Sequence, residues 1–200
     1  MDYWHGGRRG IAVGDFIVAP DARRRQWTTF ERSIERLARG SGYNVDRDPK
    51  RIYVTTDREL ARGWAMNVLL RFKGGGALYR VKPLPPMSLE PDPDYAPTGF
   101  SARRAQVLEV VEDPVQMDQD EASRTVCLKY SLWVDRSPMY DVDGYMLPPT
   151  NARQAGATAE MYRHLGKWFV VPPGCSVWFK DGRAFVAPTD ATDTSPQSYR

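Results

Sequence analysis

Three short segments of the chain each carry one side chain that could take part in catalysis. His5 lies in the first segment, Tyr53 in the second and Asp92 in the third. An imidazole can hydrogen-bond a hydroxyl group, a phenol ring can stack on a flat aromatic ring, and a carboxylate can stabilise a developing positive charge. This combination suits a site that binds a dinucleotide and cleaves a glycosidic bond.

Cleavage of the bond between nicotinamide and ribose in NAD would use all three groups. The reaction passes through an oxocarbenium-like state, as glycoside hydrolysis does, and it needs no metal. It needs a held ribose, a stacking surface for nicotinamide and a fixed carboxylate near the growing charge. His5 is followed by two glycines, and Asp92 lies between Pro91 and Pro93, which restrict its backbone. Taken singly, the segments are more typical of a surface histidine, a core tyrosine and a solvent loop.

The hydrophobic pattern predicts short strands and amphipathic helices that would position these segments. The expected strands cover 11–18, 52–54, 77–81 (ended by Pro83) and 105–111. The expected helices run from Thr28 to Gly40 and, after capping residues at 55–57, to just before Gly74.

A boundary is expected where the chain turns acidic and poor in apolar residues, around 113–122. The sequence therefore predicts a domain at 1–113, a β-rich accessory region at 123–187 and a disordered tail at 188–200. The elements expected in the accessory region are strands at 126–134, 168–171, 177–179 and 184–186, and a short helix at 155–165.

Together the segments resemble the His-Tyr-Asp signature of the rifampin-type ADP-ribosyltransferases. The resemblance covers roughly the first half of the chain, from His5 to about Glu112. It consists of His-Gly near the start, a Tyr-Val-Thr-Thr strand, an alanine-rich helix with a tryptophan, a Leu-Tyr-Arg-Val strand, the acidic proline loop, and Ser-Ala-Arg-Arg-Ala before a final strand.

The resemblance implies an α+β fold with a small split-sheet domain that holds NAD, as a substrate, in a cleft between strands. It assigns His5 to the adenosine-side ribose, Tyr53 to stacking on nicotinamide, and Asp92 to the ribosyl cation and its 2′-hydroxyl. Three further residues would lie near the dinucleotide: Gly6, Thr55 and Arg104. A shift of two residues would give the acidic role to Glu90 or Asp94.

The chain also departs from that family. The stretch from Pro20 to Lys50 is longer than in the antibiotic-modifying members, and the part after about Asp113 has no counterpart there. Rifampin is therefore not the expected substrate, and the acceptor of ADP-ribose stays open between a protein, a nucleic acid, a small molecule and water. Similar domains in actinobacteria and their phages suggest such a source.

Composition is that of a globular protein: 200 residues, 42% hydrophobic and 12% aromatic. A net charge of +3 falls short of a nucleic-acid-binding signature. Cys127 and Cys175 lack metal-ligand spacing and are expected to be free thiols. No apolar run reaches the length of a membrane span and the first residues hold no apolar leader, so we expect a soluble protein, cytoplasmic or, if phage-encoded, associated with the virion.

Two other classes of function compete with the enzyme. One is a structural or interaction protein, for example a phage virion component, in which a vestigial transferase domain serves as a scaffold and the aromatic-rich region 133–185 binds a protein partner. The other is a nucleic-acid-binding module that uses Arg23 to Arg25 with Trp27 and Phe30 for phosphate contact and stacking.

Overall fold

The computed structural model of the protein describes residues 1–26, 29, 32, 48–66, 74–172 and 174–189. Within these ranges the chain divides into two compact units, the first holding the described residues up to Thr125 and the second those from Val126 onward. The sequence predicts a boundary between 113 and 123, and the observed division falls just after that interval, inside a helix. The amphipathic helix expected at 28–40 and the expected tail lie largely outside the described residues.

The first unit is built mainly of strands, with few helices. In chain order its strands are β1 (Tyr3–Gly7), β2 (Phe16–Val18), β3 (Ile52–Thr55), β4 (Ala77–Leu84), β5 (Glu90–Pro91), β6 (Gly99–Ala102) and β7 (Arg104–Glu112). Its helices are α1 (Pro20–Arg23), α2 (Arg58–Ala65) and α3 (Gln119–Cys127), which runs into the second unit, with short 3-10 helices at Arg24–Gln26, Pro86–Ser88 and Pro93–Tyr95.

An open antiparallel sheet joins these strands in the order β2-β7-β4-β1-β3-β6-β5. A mixed class with both helices and strands, expected from the sequence, is thereby confirmed. The order places β1, β3, β6 and β5 side by side. The strands that carry His5 and Tyr53 are therefore neighbours, and Asp92 comes directly after the edge strand β5.

Alternating burial along the strands divides the sheet into two faces. One face forms the main core, whose buried members are Ile11, Ile17, Ala19, Ile52, Val54, Ala77, Tyr79, Val81, Ala102, Ala105 and Val107. The opposite face packs against α2 in a second cluster made of Ala61, Ala65, Leu78 and Val115. Burying one side chain of Val or Leu size contributes about 1.5–3 kcal/mol, so a shift of register in any central strand would be costly.

Local sequence accounts for α2 and for its contact with β1. The carboxylate of Asp57 caps the helix by accepting from the N–H groups of Glu59 at 3.1 Å and Leu60 at 3.2 Å. Gly6 lies beneath the helix, where a Cβ atom would stand 1.7 Å from the main-chain oxygen of Ala61. Only glycine allows the helix to pack this closely on β1. The continuation expected towards Gly74 passes through 67–73, which lie outside the described residues.

One strand of the first unit is longer than predicted. The sequence predicts that Pro83 ends the strand at 77–81, yet β4 continues to Leu84. Pairing of β4 with β1 ends at Val81, whereas pairing with β7 continues through Pro83 and Ala105. Proline is tolerated there because β4 has lost one of its two neighbours at that point.

The strand predicted at 126–134 is wrong. α3 continues through Cys127, and turns follow it. Asp118 explains the helix, because its Oδ1 accepts from the N–H of Glu121 at 2.8 Å and caps the first turn. The apolar residues after Val126 alternate as in a strand. The cap at Asp118 instead starts a helix that continues into the first residues of this segment.

The second unit contains less strand than predicted. Its regular strands, within the described residues, form the hairpin β8 (Cys175–Lys180) and β9 (Arg183–Pro188), so the strand predicted at 168–171 is wrong. Its helices are α4 (Thr150–Gln154) and a 3-10 helix at Ala159–Leu165. The buried core consists of Trp133, Tyr140, Met146, Ala152, Ala157, Tyr162, Val177 and Ala184. Neither cysteine forms a disulfide. In the described part of the chain, no helix is both long and apolar enough to span a membrane.

Candidate functional site

His5 and Tyr53 are joined by a hydrogen bond. His5 Nδ1 lies 2.8 Å from the main-chain oxygen of Tyr53. Because a carbonyl oxygen only accepts, Nδ1 must carry the proton, and in the neutral ring Nε2 is then the acceptor nitrogen. The bond therefore fixes both the orientation and the tautomer of the imidazole.

This bond lies where β1 and β3 separate. The two strands share a single pair, Trp4 with Thr55, whereas β1 pairs with β4 along its whole length and β3 pairs with β6 along its whole length. Alternation points Trp4 towards α2 and His5 towards the other face, and the imidazole turns into the seam to reach Tyr53. The His5 side chain thus takes the place of a backbone N–H of β1 as the donor to the Tyr53 carbonyl.

Tyr53 and Asp92 lie on the face of the sheet opposite the main core. Tyr53 is paired with Ser101, and Thr55 with Gly99. Directly paired residues share a face, as do residues two apart. Asp92 lies on the same face as Gly99. Its N–H donates to the main-chain oxygen of Gly99 at 2.9 Å, and a Cβ atom added to Gly99 would lie 3.3 Å from the Cβ of Asp92. We call the surface of Tyr53, Thr55, Ser101 and Asp92 the Tyr53 face.

His5 lies on the opposite face of the sheet from Tyr53 and Asp92, because it pairs with Tyr79, a member of the main core. From β1 to β5 there are three inter-strand steps, about 14 Å between the backbones of His5 and Asp92. The structure therefore brings Tyr53 and Asp92 to one face of the sheet, two strands apart, and His5 reaches the strand of Tyr53 from the other face through its ring nitrogen.

Asp92 is held on both sides of its backbone. It is only 7% exposed, although it belongs to a surface loop. Its Oδ1 accepts from the N–H of Asp94 at 3.1 Å and so caps the 3-10 helix Pro93–Tyr95. Tyr95 in turn packs edge to face against Trp64 of α2, with ring centroids 5.1 Å apart. The loop that carries the carboxylate is thus packed against α2 through Tyr95.

Tyr53 is half-buried, and its ring is fixed at the hydroxyl end. The N–H of Asp48 donates to the Tyr53 hydroxyl oxygen at 3.0 Å. The bond fixes the polar tip of the side chain and so limits the movement of the ring.

The other predicted residues serve different purposes. Thr55 is fully buried, and its hydroxyl donates to the oxygen of Thr98 at 2.9 Å and accepts from the N–H of Asp57 at 3.0 Å. Gly6 provides room for α2. Arg104 is exposed, stacks over Phe16 at 4.8 Å and pairs with Leu84 on β4. That position is five residues, about 17 Å, along β4 from the partner of His5, whereas the backbone of Arg104 is three residues, at most about 11 Å, from that of Ser101.

The two alternative acidic residues differ from Asp92. Glu90 is bound to Arg51 at 2.9 Å and its side chain is 64% exposed. Asp94 is exposed as well. Among the three carboxylates of this loop, Asp92 is thus the one shielded from water. Within the described ranges, no three His, Cys, Asp or Glu side chains lie close enough together to hold a metal ion.

The chain matches no protein-family model, no curated protein and no solved structure. Its function must therefore be inferred from the residues around the Tyr53 face and from the resemblance of their motifs.

Sequence reasoning missed two residues of this region. Gly7 makes room for the imidazole, since a Cβ there would lie 2.4 Å from His5 Nε2. Arg51 precedes β3 and donates to Ser101 Oγ at 2.8 Å. The alternation Arg51-x-Tyr53-x-Thr55 could have indicated that Arg51 shares a face with Tyr53. Its partners lie too far along the chain to be inferred from spacing.

Proposed function

We propose that the first unit is an NAD-dependent mono-ADP-ribosyltransferase, which releases nicotinamide from NAD and transfers ADP-ribose to an acceptor. The observation that supports this most strongly is the hydrogen bond from His5 to the backbone of Tyr53, with Asp92 on the same face as Tyr53. His5 and Tyr53, which are 48 residues apart, thus belong to adjacent strands, and Asp92 follows β5, two strands beyond β3.

Each residue has a role that follows from its chemistry. The resemblance assigns His5 to the adenosine-side ribose, and in the folded chain His5 acts on the strand of Tyr53 through the bond from Nδ1. The ring of Tyr53 stacks on nicotinamide. As the bond between nicotinamide and ribose breaks, its electron pair leaves with nicotinamide, and the carboxylate of Asp92 stabilises the positive charge on the ribose. The acceptor then attacks that carbon and loses a proton.

Electrostatics favour Asp92 over its neighbours for this role. A charge shielded from water acts on a nearby cation through a lower effective dielectric constant. Asp92 is 7% exposed, whereas the side chain of Glu90 is 64% exposed. Two fixed points, the Gly99 oxygen and the Asp94 N–H, hold Asp92 in place before the substrate arrives. Such preorganisation is what makes electrostatic stabilisation effective.

The acceptor is a protein, a nucleic acid, a small molecule or water. An actinobacterial or phage source, and a cytoplasmic or virion-associated location, belong to the same proposal and derive from the resemblance. The aromatic residues that favoured an interaction protein instead contribute largely to the core of the second unit, as Trp133 and Tyr140 do. The support for a scaffold is weaker for that reason.

The test compares nicotinamide release by the wild type, Asp92→Asn and Asp94→Asn, using labelled NAD in host lysate. Asparagine at position 92 keeps an oxygen for the cap but lacks the charge, so the fold is retained. We expect a loss of about 100-fold or more for Asp92→Asn and less than twofold for Asp94→Asn. Equal activity of the two variants, or no release by the wild type, would contradict the proposal.

A further inference from the structure

The guanidinium of Arg51 binds three residues on two other segments. It donates to Ser101 Oγ at 2.8 Å, to the Ser101 main-chain oxygen at 3.0 Å, to Glu90 Oε1 at 2.9 Å and to the main-chain oxygen of Ser88. Its side chain is only 15% exposed. An arginine so enclosed joins the start of β3 to β6 and to the segment that leads into β5.

The edge strand β5 needs such support. It comprises only Glu90 and Pro91, both exposed, paired with Ser101 and Phe100 of β6. Proline has no N–H to donate, and a two-residue ladder is too short to be stable by itself. The contacts of Arg51 with Ser88 and Glu90 supply, through a side chain, what the backbone of β5 lacks.

We infer that Arg51 is a positioning residue for Asp92, the carboxylate to which the proposed function assigns stabilisation of the ribosyl cation. Asp92 follows β5 directly. Its C-terminal side is fixed by its own cap of the helix Pro93–Tyr95. On its N-terminal side, the bond from its N–H to the Gly99 oxygen continues the short ladder of β5, which the contacts of Arg51 support. Displacing a reacting group by about 1 Å can lower a rate about 100-fold, so a loose β5 would lower turnover.

Arg51 acts through other residues and does not bind substrate itself. Four of its five N–H donors are already used by Ser88, Glu90 and Ser101. The remaining donor cannot form the two parallel bonds by which arginine grips a phosphate. A direct role in binding NAD would require breaking the contacts that hold β5.

The test combines turnover with amide hydrogen exchange in Arg51→Lys. Lysine keeps the charge, but one ammonium group cannot reach all four acceptors. We expect kcat for nicotinamide release to fall about 10-fold with KM for NAD within twofold, and exchange of the Asp92 N–H to be at least about 10-fold faster. Glu90→Gln, which keeps an acceptor without the charge, gives a smaller loss and covers the case in which Arg51→Lys does not fold. Arg80→Lys is the matched control, since Arg80 binds Glu109 through Nε at 2.9 Å elsewhere on the sheet, and it changes neither quantity.

A double-mutant cycle with Asp92→Asn separates positioning from general stability. If Arg51 works through Asp92, adding Arg51→Lys to Asp92→Asn lowers kcat no further. Multiplicative losses, or unchanged exchange at Asp92, would overturn the inference while leaving the proposed function in place. Absence of turnover in the wild type would instead overturn the proposed function. The contacts of Arg51 would then hold β5 without any role in catalysis.

Discussion

The imidazole of His5 donates from Nδ1 to the main-chain oxygen of Tyr53, which lies 48 residues later in the sequence, at 2.8 Å. The bond occurs where β1 and β3 share their single pair and then separate. Neither residue could adopt this arrangement alone, because the imidazole needs an unpaired strand edge and the carbonyl needs a donor. Variants that move one partner while leaving the other in place test whether the pair has a function.

Gly7→Ala should displace the His5 ring while leaving the fold intact. The new Cβ would lie 2.4 Å from Nε2 and 2.9 Å from Cδ2 of His5, so the imidazole must leave its position. Loss of one hydrogen bond costs about 1 kcal/mol of stability. We expect nicotinamide release to fall to the level of His5→Ala. The ¹⁵N spectrum of the imidazole should show the Nδ1–H tautomer in the wild type and lose it in the variant.

Gly6→Ala is the contrasting variant, since its effect should be on stability. Its Cβ would lie 1.7 Å from the main-chain oxygen of Ala61 and 2.6 Å from the nitrogen of Ala65. Both atoms belong to the backbone of α2, so the whole helix must shift, at a cost of about 1–3 kcal/mol. Denaturant unfolding measures this cost. Gly6→Ala as stable as Gly7→Ala would show that α2 does not rest on β1 as described.

Tyr53→Phe and Tyr53→Ala should differ sharply in their effect on NAD. Phenylalanine loses the bond from the Asp48 N–H, which costs about 0.5–1 kcal/mol of stability at this partly exposed site, but keeps the ring. Alanine loses the ring. We expect the KM for NAD to stay within threefold for Tyr53→Phe and to rise at least about 10-fold for Tyr53→Ala, since an aromatic contact contributes about 0.5–1.5 kcal/mol beyond its buried area. Equal KM values for the two variants would rule out stacking.

Local patterns were sufficient to predict the elements on which the site is built. Ile52 and Val54 are buried with the half-buried Tyr53 between them, as a strand with one core face requires. Asp57 caps α2 as expected from its position before an apolar stripe. The burial pattern of β3 and the cap of α2 depend only on residues a few positions apart. They can therefore be predicted from one sequence.

Contacts between distant segments could not be predicted in this way. Arg51 binds residues 37, 39 and 50 positions further along, and the order β1-β3-β6-β5 has no local signal.

Tyr79→Phe should be less stable than the wild type at neutral pH and lose that disadvantage in alkali. The Tyr79 hydroxyl donates to the oxygen of Arg8 at 2.7 Å and anchors the loop after β1, so its removal costs about 1 kcal/mol. Burial raises the pKa of Tyr79 above its ordinary value of 10.0. The stabilisation is therefore complete below pH 10 and is lost as pH rises through the raised pKa, because the unfolded tyrosine ionises first. Unfolding at pH 7 and pH 11 measures both effects, and a gap of the same size at both pH values would contradict the assignment.

Asp135→Asn tests the corresponding acid effect in the second unit. The carboxylate of Asp135 accepts from the hydroxyl and the N–H of Ser137 and from the N–H of Thr150, and these bonds hold its pKa well below the ordinary 3.8. A lowered pKa in the folded state gives stabilisation that is present above pH 3.8 and is lost as pH falls towards the folded value, because the unfolded carboxyl protonates first. The wild type should therefore exceed Asp135→Asn in stability at pH 7, and the difference in denaturation midpoint should shrink by pH 2.5. Ser137→Ala removes the hydroxyl whose hydrogen bond lowers the pKa of Asp135 the most, and it leaves the carboxylate in place. We therefore expect the stability of this variant to change less between pH 7 and pH 2.5 than that of the wild type. A difference that is constant between pH 7 and pH 2.5 would show that Asp135 stabilises the turn through shape rather than charge.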